Sequence, residues 1–390
     1  LISDSDAGGI ITVTVDFSES MSAGAVPTFV FSPSVATTLA FSSGSWVDGD
    51  TYQGLYSVSD AEVDVNSVTV DVINAKDAAG NDQTNYAAAY EFEIDTLNPT
   101  VTSVVSSDTL IADSDNGLTR TVTVYFSEAM NAVVVPTFTF SPSVAGTLTL
   151  TGGTWQASNT RYQASYTAAD AGVDIDSVTI DVTGAQDAAA NGQRDYVPVH
   201  EFAVDTLNPT VVAIALSDTL ITDADVGGVF AVTTDYSEPM QPGTAPSVVF
   251  APALDTTLSL LPTSGWSDAD TYVSRYLVLD GNVTVDDDDV RVSTARDLAL
   301  NVQVPSSRDD GLDVDTENPI IAGFTVTGGQ VGTKDGNDCV REVTFAATVW
   351  APASAEPTVN LYVPQPGSKS VISEKRPVVI TPPSAATAMA

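Results

Sequence analysis

The sequence predicts an all-β fold of tandem β-sandwich domains in an elongated array. Three observations predict it: apolar residues alternate with polar ones, helical periodicity is absent, and the pattern recurs every 110 residues (95 to 205 to 315). The alternation is clearest where Ile11, Val13, Val15 and Phe17 stand against Thr12, Thr14, Asp16 and Ser18, the signature of a strand with one face buried. Val68, Val70 and Val72 repeat it, as do Tyr90, Phe92 and Ile94. Turn residues such as Ser32-Pro33-Ser34 and Ala79-Gly80-Asn81 separate the runs. About seven strands fall in each copy, the number expected of an immunoglobulin-like sandwich.

The repeat is made of short words in fixed order. Asp95-Thr96-Leu97-Asn98-Pro99 returns as Asp205-Thr206-Leu207-Asn208-Pro209 and Asp315-Thr316-Glu317-Asn318-Pro319. Between these come Phe17-Ser18-Glu19, Phe126-Ser127-Glu128 and Tyr236-Ser237-Glu238, each followed by a methionine (Met21, Met130, Met240), then Trp46, Trp155 and Trp266, then Asp77, Asp187 and Asp297. The predicted domains are residues 1–98, lacking a first strand, 99–208 and 209–318, with a divergent or partial copy over 319–390. The third copy is looser, with Thr234 in place of Val124 and Asp288 in place of Val178, and a less stable domain is expected there.

With 390 residues, 43% of them hydrophobic, the chain can build several cores. Its 51 acidic residues against 13 basic ones leave a formal charge of −38, which argues against nucleic acid and anionic membranes as partners. Such self-repulsion calls for salt screening or bound cations, as in a marine or saline exterior. One cysteine, Cys339, permits no internal disulfide, so the usual staple of small secreted domains is missing. No run of 18 apolar residues points to membrane insertion, and the start at Leu1 is that expected of a mature or excised segment.

Phe-Ser-Glu-x-Met (residues 17–21 and 126–130), Lys76-Asp77-Ala78-Ala79-Gly80-Asn81 and Asp95-Thr96-x-x-Pro99 resemble the bacterial immunoglobulin-like repeats of giant surface adhesins and S-layer-associated proteins. The resemblance covers residues 1 to about 319. It implies a stalk secreted across the envelope and, in several branches of the family, calcium at the domain junctions. The second copy reads Asp187-Ala188-Ala189-Ala190-Asn191 and the third Asp297-Leu298-Ala299-Leu300-Asn301, so the glycine is lost while acid and amide stay.

Calcium takes six to eight oxygens, so a site needs acids distant in sequence to converge in space. In a sandwich, the loops after the first and fifth strands and the end of the last strand share the pole that faces the next domain. There copy one holds Asp4, Asp6, Asp60 and Asp95, and the facing pole of copy two offers Glu128 and Asp187. The second junction gathers Asp113, Asp115, Asp170 and Asp205 with Glu238 and Asp297. The matching acids at the two ends are Glu19 and Asp77 in copy one, and Asp223, Asp225, Asp280 and Asp315 in copy three. Any one of these, taken alone, reads first as a turn residue or solvated charge. As a set packed at one pole, they repel one another unless a cation neutralises them.

Asp113-Ser114-Asp115-Asn116-Gly117 lacks the closing Glu and the helices of an EF-hand, and Asp286 to Asp289 reads as a solvated charge run. No flexible spacer separates the domains, so metal-bridged poles would give a rod of roughly 40 Å per domain at about 3.3 Å per strand residue.

So many acids leave room for a carboxylate pair of the glycosidase kind, but three near-equal copies argue for architecture over an active site, and no enzyme is expected. The one histidine, His200, sits where copy one has Tyr90, and Cys339 has no partner in sequence. Trp46, Trp155 and Trp266 followed by Tyr52, Tyr162 and Tyr272 read as core, with a surface for glycan stacking as the alternative. Leu1 aligns with Leu110 and Leu220, so copy one lacks the strand that Pro99 opens. Pro377-Val378-Val379-Ile380-Thr381 could supply such a strand to another copy, head to tail; equally, the segment could be cut from a longer polypeptide. The expectation is an extracellular structural protein at the cell surface, an adhesin stalk or filament subunit with calcium as cofactor, the alternative being an S-layer component or glycan-binding module.

Overall fold

In the computed structural model, the described residues are 1–320 together with the short strands Thr325–Thr327, Thr344–Ala346, Val359–Leu361 and Arg376–Val378. Cys339 and Asp335 to Asp338 lie outside them, as do Val379 to Thr381 of the expected donor strand. Its first two residues, Pro377 and Val378, belong to the strand Arg376–Val378, which pairs with Val359–Leu361.

The second sandwich shows the plan in full. One sheet runs in the order Leu148–Gln156, Arg161–Ala168, Thr119–Phe126 and Val101–Ser106; the other in the order Thr137–Ser141, Asp174–Thr183, His200–Asp205 and Leu110–Ala112. The first strand is therefore split, its front half antiparallel to Thr119–Phe126 and its back half parallel to His200–Asp205. The third sandwich repeats this with Val211–Leu216 in one sheet and Leu220–Thr222 in the other. In the first, Ile2–Ser3 stands at the edge of its sheet beside Tyr90–Asp95, and Ile10–Asp16 is an edge strand paired only with Thr51–Val58.

Alternation makes the core. Val122, Val124 and Phe126 point inward from one sheet and meet Val178, Ile180 and Val182 from the other, each fully or almost fully buried. Such burial contributes about 1.5–3 kcal/mol per side chain. The tryptophans close the ends of these cores, with Trp46, Trp155 and Trp266 edge-on to Tyr52, Tyr162 and Tyr272 at ring-centroid distances of 5.3, 5.1 and 5.1 Å. His200 is exposed on its strand, its Nδ1 2.9 Å from the Ser177 hydroxyl.

The reading of Asp286 to Asp289 as solvated charge needs a correction at one residue. The strand Thr284–Ser293 bulges on either side of Asp288, and the bulge turns that side chain inward, where it is 0% exposed. Val68 and Val178 occupy the same bulge in the other sandwiches. Neither oxygen of Asp288 has a hydrogen-bond partner, and burial pushes its carboxyl up to about 6.

Candidate metal centres at the domain junctions

The three repeated words build one joint between consecutive sandwiches. In Phe126-Ser127-Glu128-x-Met130, the phenylalanine enters the core, the serine Oγ accepts the Thr100 N–H at 2.9 Å, and Met130 is buried and bridged to Asp187. Glu128 is left at the tip of that loop, facing the domain before it. In Asp187-Ala-Ala-Ala190-Asn191, the aspartate Oδ1 accepts the Asn191 N–H at 2.9 Å and closes a tight loop. Ala190 takes a positive φ of 69° there and Leu300 one of 71°, the conformation Gly80 adopts at 89° in the first copy. The loop is kept without its glycine, at the steric cost of a side chain in the left-handed region.

The third word, Asp95-Thr96-Leu97-Asn98-Pro99, is the linker itself. Thr96 is fully buried, and its Oγ1 accepts from Val63 N at 3.2 Å. Asn98 Nδ2 donates to Asp4 Oδ2 at 2.7 Å on one side and to the Gly192 carbonyl at 2.9 Å on the other. Asn191 reaches back: its Oδ1 accepts from Asp4 N at 3.0 Å, and its Nδ2 donates to the Asp95 carbonyl at 2.9 Å. Asn208 and Asn301 make the same bonds to Asp113 and Asp205 at the second junction.

These contacts bring Asp95, Glu128 and Asp187 together, with one carboxylate oxygen of each within 4.8 Å of the others. Asp205, Glu238 and Asp297 do the same at the second junction. Asp187 and Asp297 are each 1% exposed. Glu128 Oε1, Glu238 Oε1 and Asp297 Oδ2 are buried with no hydrogen-bond partner. Burial, with Asp187 and Asp95 adding like charge, pushes the Glu128 carboxyl up to about 7; burial with Asp297 and Asp205 does the same to Glu238. Burial raises Asp95 too, and Asp205 to about 6. Each cluster is thus a pocket of carboxyl oxygens to which, among the described residues, no Lys or Arg is paired.

The remaining expected acids fall into three groups. Asp4 and Asp113 lie at the margin of the clusters: one oxygen of each accepts from the linker asparagine, the other is buried and unpartnered, and burial raises both carboxyls. Asp6, Asp115 and Asp225 do not join. Each turns onto its own short 3-10 turn, accepting from the N–H of Ser3, Ala112 or Thr222, and Asp115 also pairs with Arg120. Asp60, Asp170 and Asp280 are exposed and cap their own loops.

At the two ends, Glu19 and Asp77 have no preceding domain over them among the described residues. Asp77 is only half-buried, and the Asn81 amide holds its carboxyl below the usual range. Asp223 and Asp315 occupy the far pole of the third sandwich, with Asp315 Oδ1 accepting from Thr284 Oγ1 at 3.2 Å.

Sequence reasoning missed several residues that work at these joints. Asp64 and Asp174 stand directly across the sheet from Asp95 and Asp205 and add negative charge to each cluster. Glu62 of the first sandwich pairs with Arg194 of the second at 2.5 Å, and its other oxygen accepts from Asn98 N at 3.2 Å. The second junction has Gly172 and Val304 at those positions.

No protein-family model matches the chain, and no curated protein does. Among solved structures it is similar to the Escherichia coli adhesin FdeC, with 16% identity, 79% of this chain and 93% of that one covered, and a TM-score of 0.34. Surface layer protein SbsC, domains 1–6, matches at 13% identity over 81% of this chain and 54% of that one, with a TM-score of 0.19. The endo-fucoidan hydrolase MfFcnA4 of glycoside hydrolase family 107 matches at 12% identity over 80% and 42%, with a TM-score of 0.21. At these scores the likenesses decide neither family nor function.

Proposed function

We propose that the chain is a load-bearing, non-catalytic segment of an extracellular surface structure, an adhesin stalk or filament, whose domain junctions are locked by a divalent cation. The observation that carries this reading is the pair of equivalent clusters, Asp95/Glu128/Asp187 and Asp205/Glu238/Asp297, each holding buried carboxylate oxygens with no partner. The donors are oxygens throughout, with no histidine or cysteine, which fits a hard ion and favours calcium over zinc or copper. Bound there, the ion would supply the positive charge the site lacks and join side chains of two domains. Recurrence of the same cluster at two joints supports an architectural role over a single active site. A chain carrying −38 charges, and no described helix long and apolar enough to cross a membrane, agree with an exposed, cation-rich setting.

Small-angle scattering of the chain in millimolar calcium and then in chelator, with calorimetric titration of calcium, tests the reading. Two binding events, and a profile that bends or shortens on chelation, are expected. An unchanged profile with no heat of binding would reduce the clusters to buried acids that simply stay protonated.

A further inference from the structure

The loop that carries Asp297 and Asn301 into the second joint has two faces. Its residues alternate: Ala295, Asp297, Ala299, Asn301 and Gln303 are buried, while Arg296, Leu298, Leu300, Val302 and Val304 are exposed. The four aliphatic side chains of the outer face are 61%, 52%, 42% and 48% exposed. The other copies lack this row. The first has Lys76, Ala78, Gly80, Asp82 and Thr84 at these positions, and the second has Gln186, Ala188, Ala190, Gly192 and Arg194. Leu300 adds a cost of its own, because a leucine with its side chain in solvent takes the left-handed φ of 71° that a glycine holds in the first copy. Apolar residues scattered singly over a surface need no explanation, but a contiguous row held on a strained loop does.

The two ends of the row carry opposite charge. In the first copy Lys76 pairs with Asp82, whereas the third copy has Val302 in the place of that acid. Arg296 is exposed, donates to the Leu300 carbonyl at 2.6 Å and is paired with no acid among the described residues. The other end runs into the joint: the Val302 carbonyl accepts from Asn208 Nδ2 at 3.0 Å, and Val304 N donates to the Pro209 carbonyl at 2.9 Å. At the first joint Arg194, the counterpart of Val304, reaches Glu62, the counterpart of Gly172. Val304 therefore faces the loop 170–172, whose Asp170 is exposed and accepts the Gly172 N–H at 3.0 Å.

We propose that this row is where two copies of the chain associate, antiparallel about a two-fold axis, with their aliphatic side chains in contact and Arg296 of each copy beside Asp170 of the other. The choice of partner follows from charge. A chain carrying −38 repels another copy over most of its surface, and the outer face of residues 296–304 has no exposed acid and one unpaired cation. An apolar row is complementary to itself, and a row with opposite charges at its ends is complementary to a second one only when that one is reversed, as a two-fold axis requires. The row is narrow against the roughly 800 Å² that each partner buries in a stable complex, so the pairing is reversible. No carboxylate of the Asp205/Glu238/Asp297 cluster takes part, so the association is independent of the cation reading.

Sedimentation equilibrium of the full chain at high salt, where repulsion between copies is screened, tests the proposal. A monomer–dimer equilibrium is expected between micromolar and millimolar concentration. The double change Leu298→Ser, Val302→Ser, made at exposed positions, should weaken it about tenfold and leave the thermal transitions in place. Arg296→Glu and Asp170→Arg should each weaken it about tenfold, and the two reversals together in one chain should restore it. A chain that stays monomeric throughout overturns the proposal, as does a dimer that the serine variant leaves unchanged or that the double reversal fails to restore. Protection of Leu298 and Val302 from hydroxyl-radical labelling, at a dilution where only monomers exist, overturns it too, because another part of the same chain then covers the row.

Discussion

Asn191 of the second sandwich donates its side-chain amide to the backbone carbonyl of Asp95 in the first at 2.9 Å, while its Oδ1 accepts from Asp4 N. Both are groups of the first domain, and the same Nδ2 donates to Asp187 Oδ2 of its own domain at 2.8 Å, so one fully buried amide ties the two together. Asn191→Ala removes these bonds and leaves Asp4 N and the Asp95 carbonyl unpartnered in a buried place. The expected loss is about 1–3 kcal/mol at the joint with little change inside either sandwich. Differential amide exchange on the two sides of the linker would show it; equal protection in both proteins would contradict it.

The metal-free joints should weaken as pH rises. Glu128 and Glu238 have folded-state values of about 7, above the ordinary 4.5. A carboxyl raised on folding holds its proton more tightly in the folded state, so its contribution is full below about 4.5 and is lost as pH climbs through 7. In chelator the melting temperature should therefore fall between those values. Saturating calcium should reduce the slope, and the double change Glu128→Gln, Glu238→Gln should reduce it without metal, the remainder coming from Asp205 and Asp288.

Asp288 predicts a stabilising substitution. Its carboxyl is buried at the position held by Val68 and Val178 elsewhere, with both oxygens unpartnered. Asp288→Val removes that desolvation penalty and should stabilise the third sandwich by about 1–3 kcal/mol at neutral pH. Since burial raises Asp288 to about 6 from 3.8, the wild-type third domain should lose more stability between those pH values than the variant, which keeps only the contribution of Glu238. Calorimetry resolving the third transition reads both effects; a variant melting no higher than wild type at pH 7 counts against them.

Leu300 sits at a φ of 71° with its side chain exposed, where the first copy has Gly80. Leu300→Gly relieves the left-handed conformation, and after the larger unfolded-state entropy of glycine is subtracted the gain should be about 0.5–1 kcal/mol. Leu300→Ala should give none of it, so chemical denaturation of the pair separates backbone relief from loss of an exposed apolar side chain.

The fold was legible because its information is periodic. Alternation at Ile11 to Phe17 and words spaced by 110 residues name the strands and their order, and the loops that meet at a pole follow from sandwich topology. The direction of individual side chains was not legible. Asp4 and Asp6 are two residues apart in a turn, and only the 3-10 geometry decides that the first faces the linker while the second folds back onto Ser3 N. Asn98 and Asn191 stood in the repeated words with no role attached, although their recurrence as Asn208 and Asn301 was a usable signal. For Asp288 the sequence pointed two ways, to the core by its alignment with Val178 and to solvent by the charge run it sits in; the bulge that breaks the two-residue rhythm there places this one member of the run inside.

The ion pair between Arg194 and Glu62 exists at one joint and has Val304 and Gly172 in its place at the other. When the chain is pulled from its ends, both joints carry the same force in series, and the one with fewer cross-links opens first. Under the proposed load-bearing reading, the expected order of yielding is the second joint first and the first joint after it, a difference of about 0–1 kcal/mol set by one half-exposed ion pair.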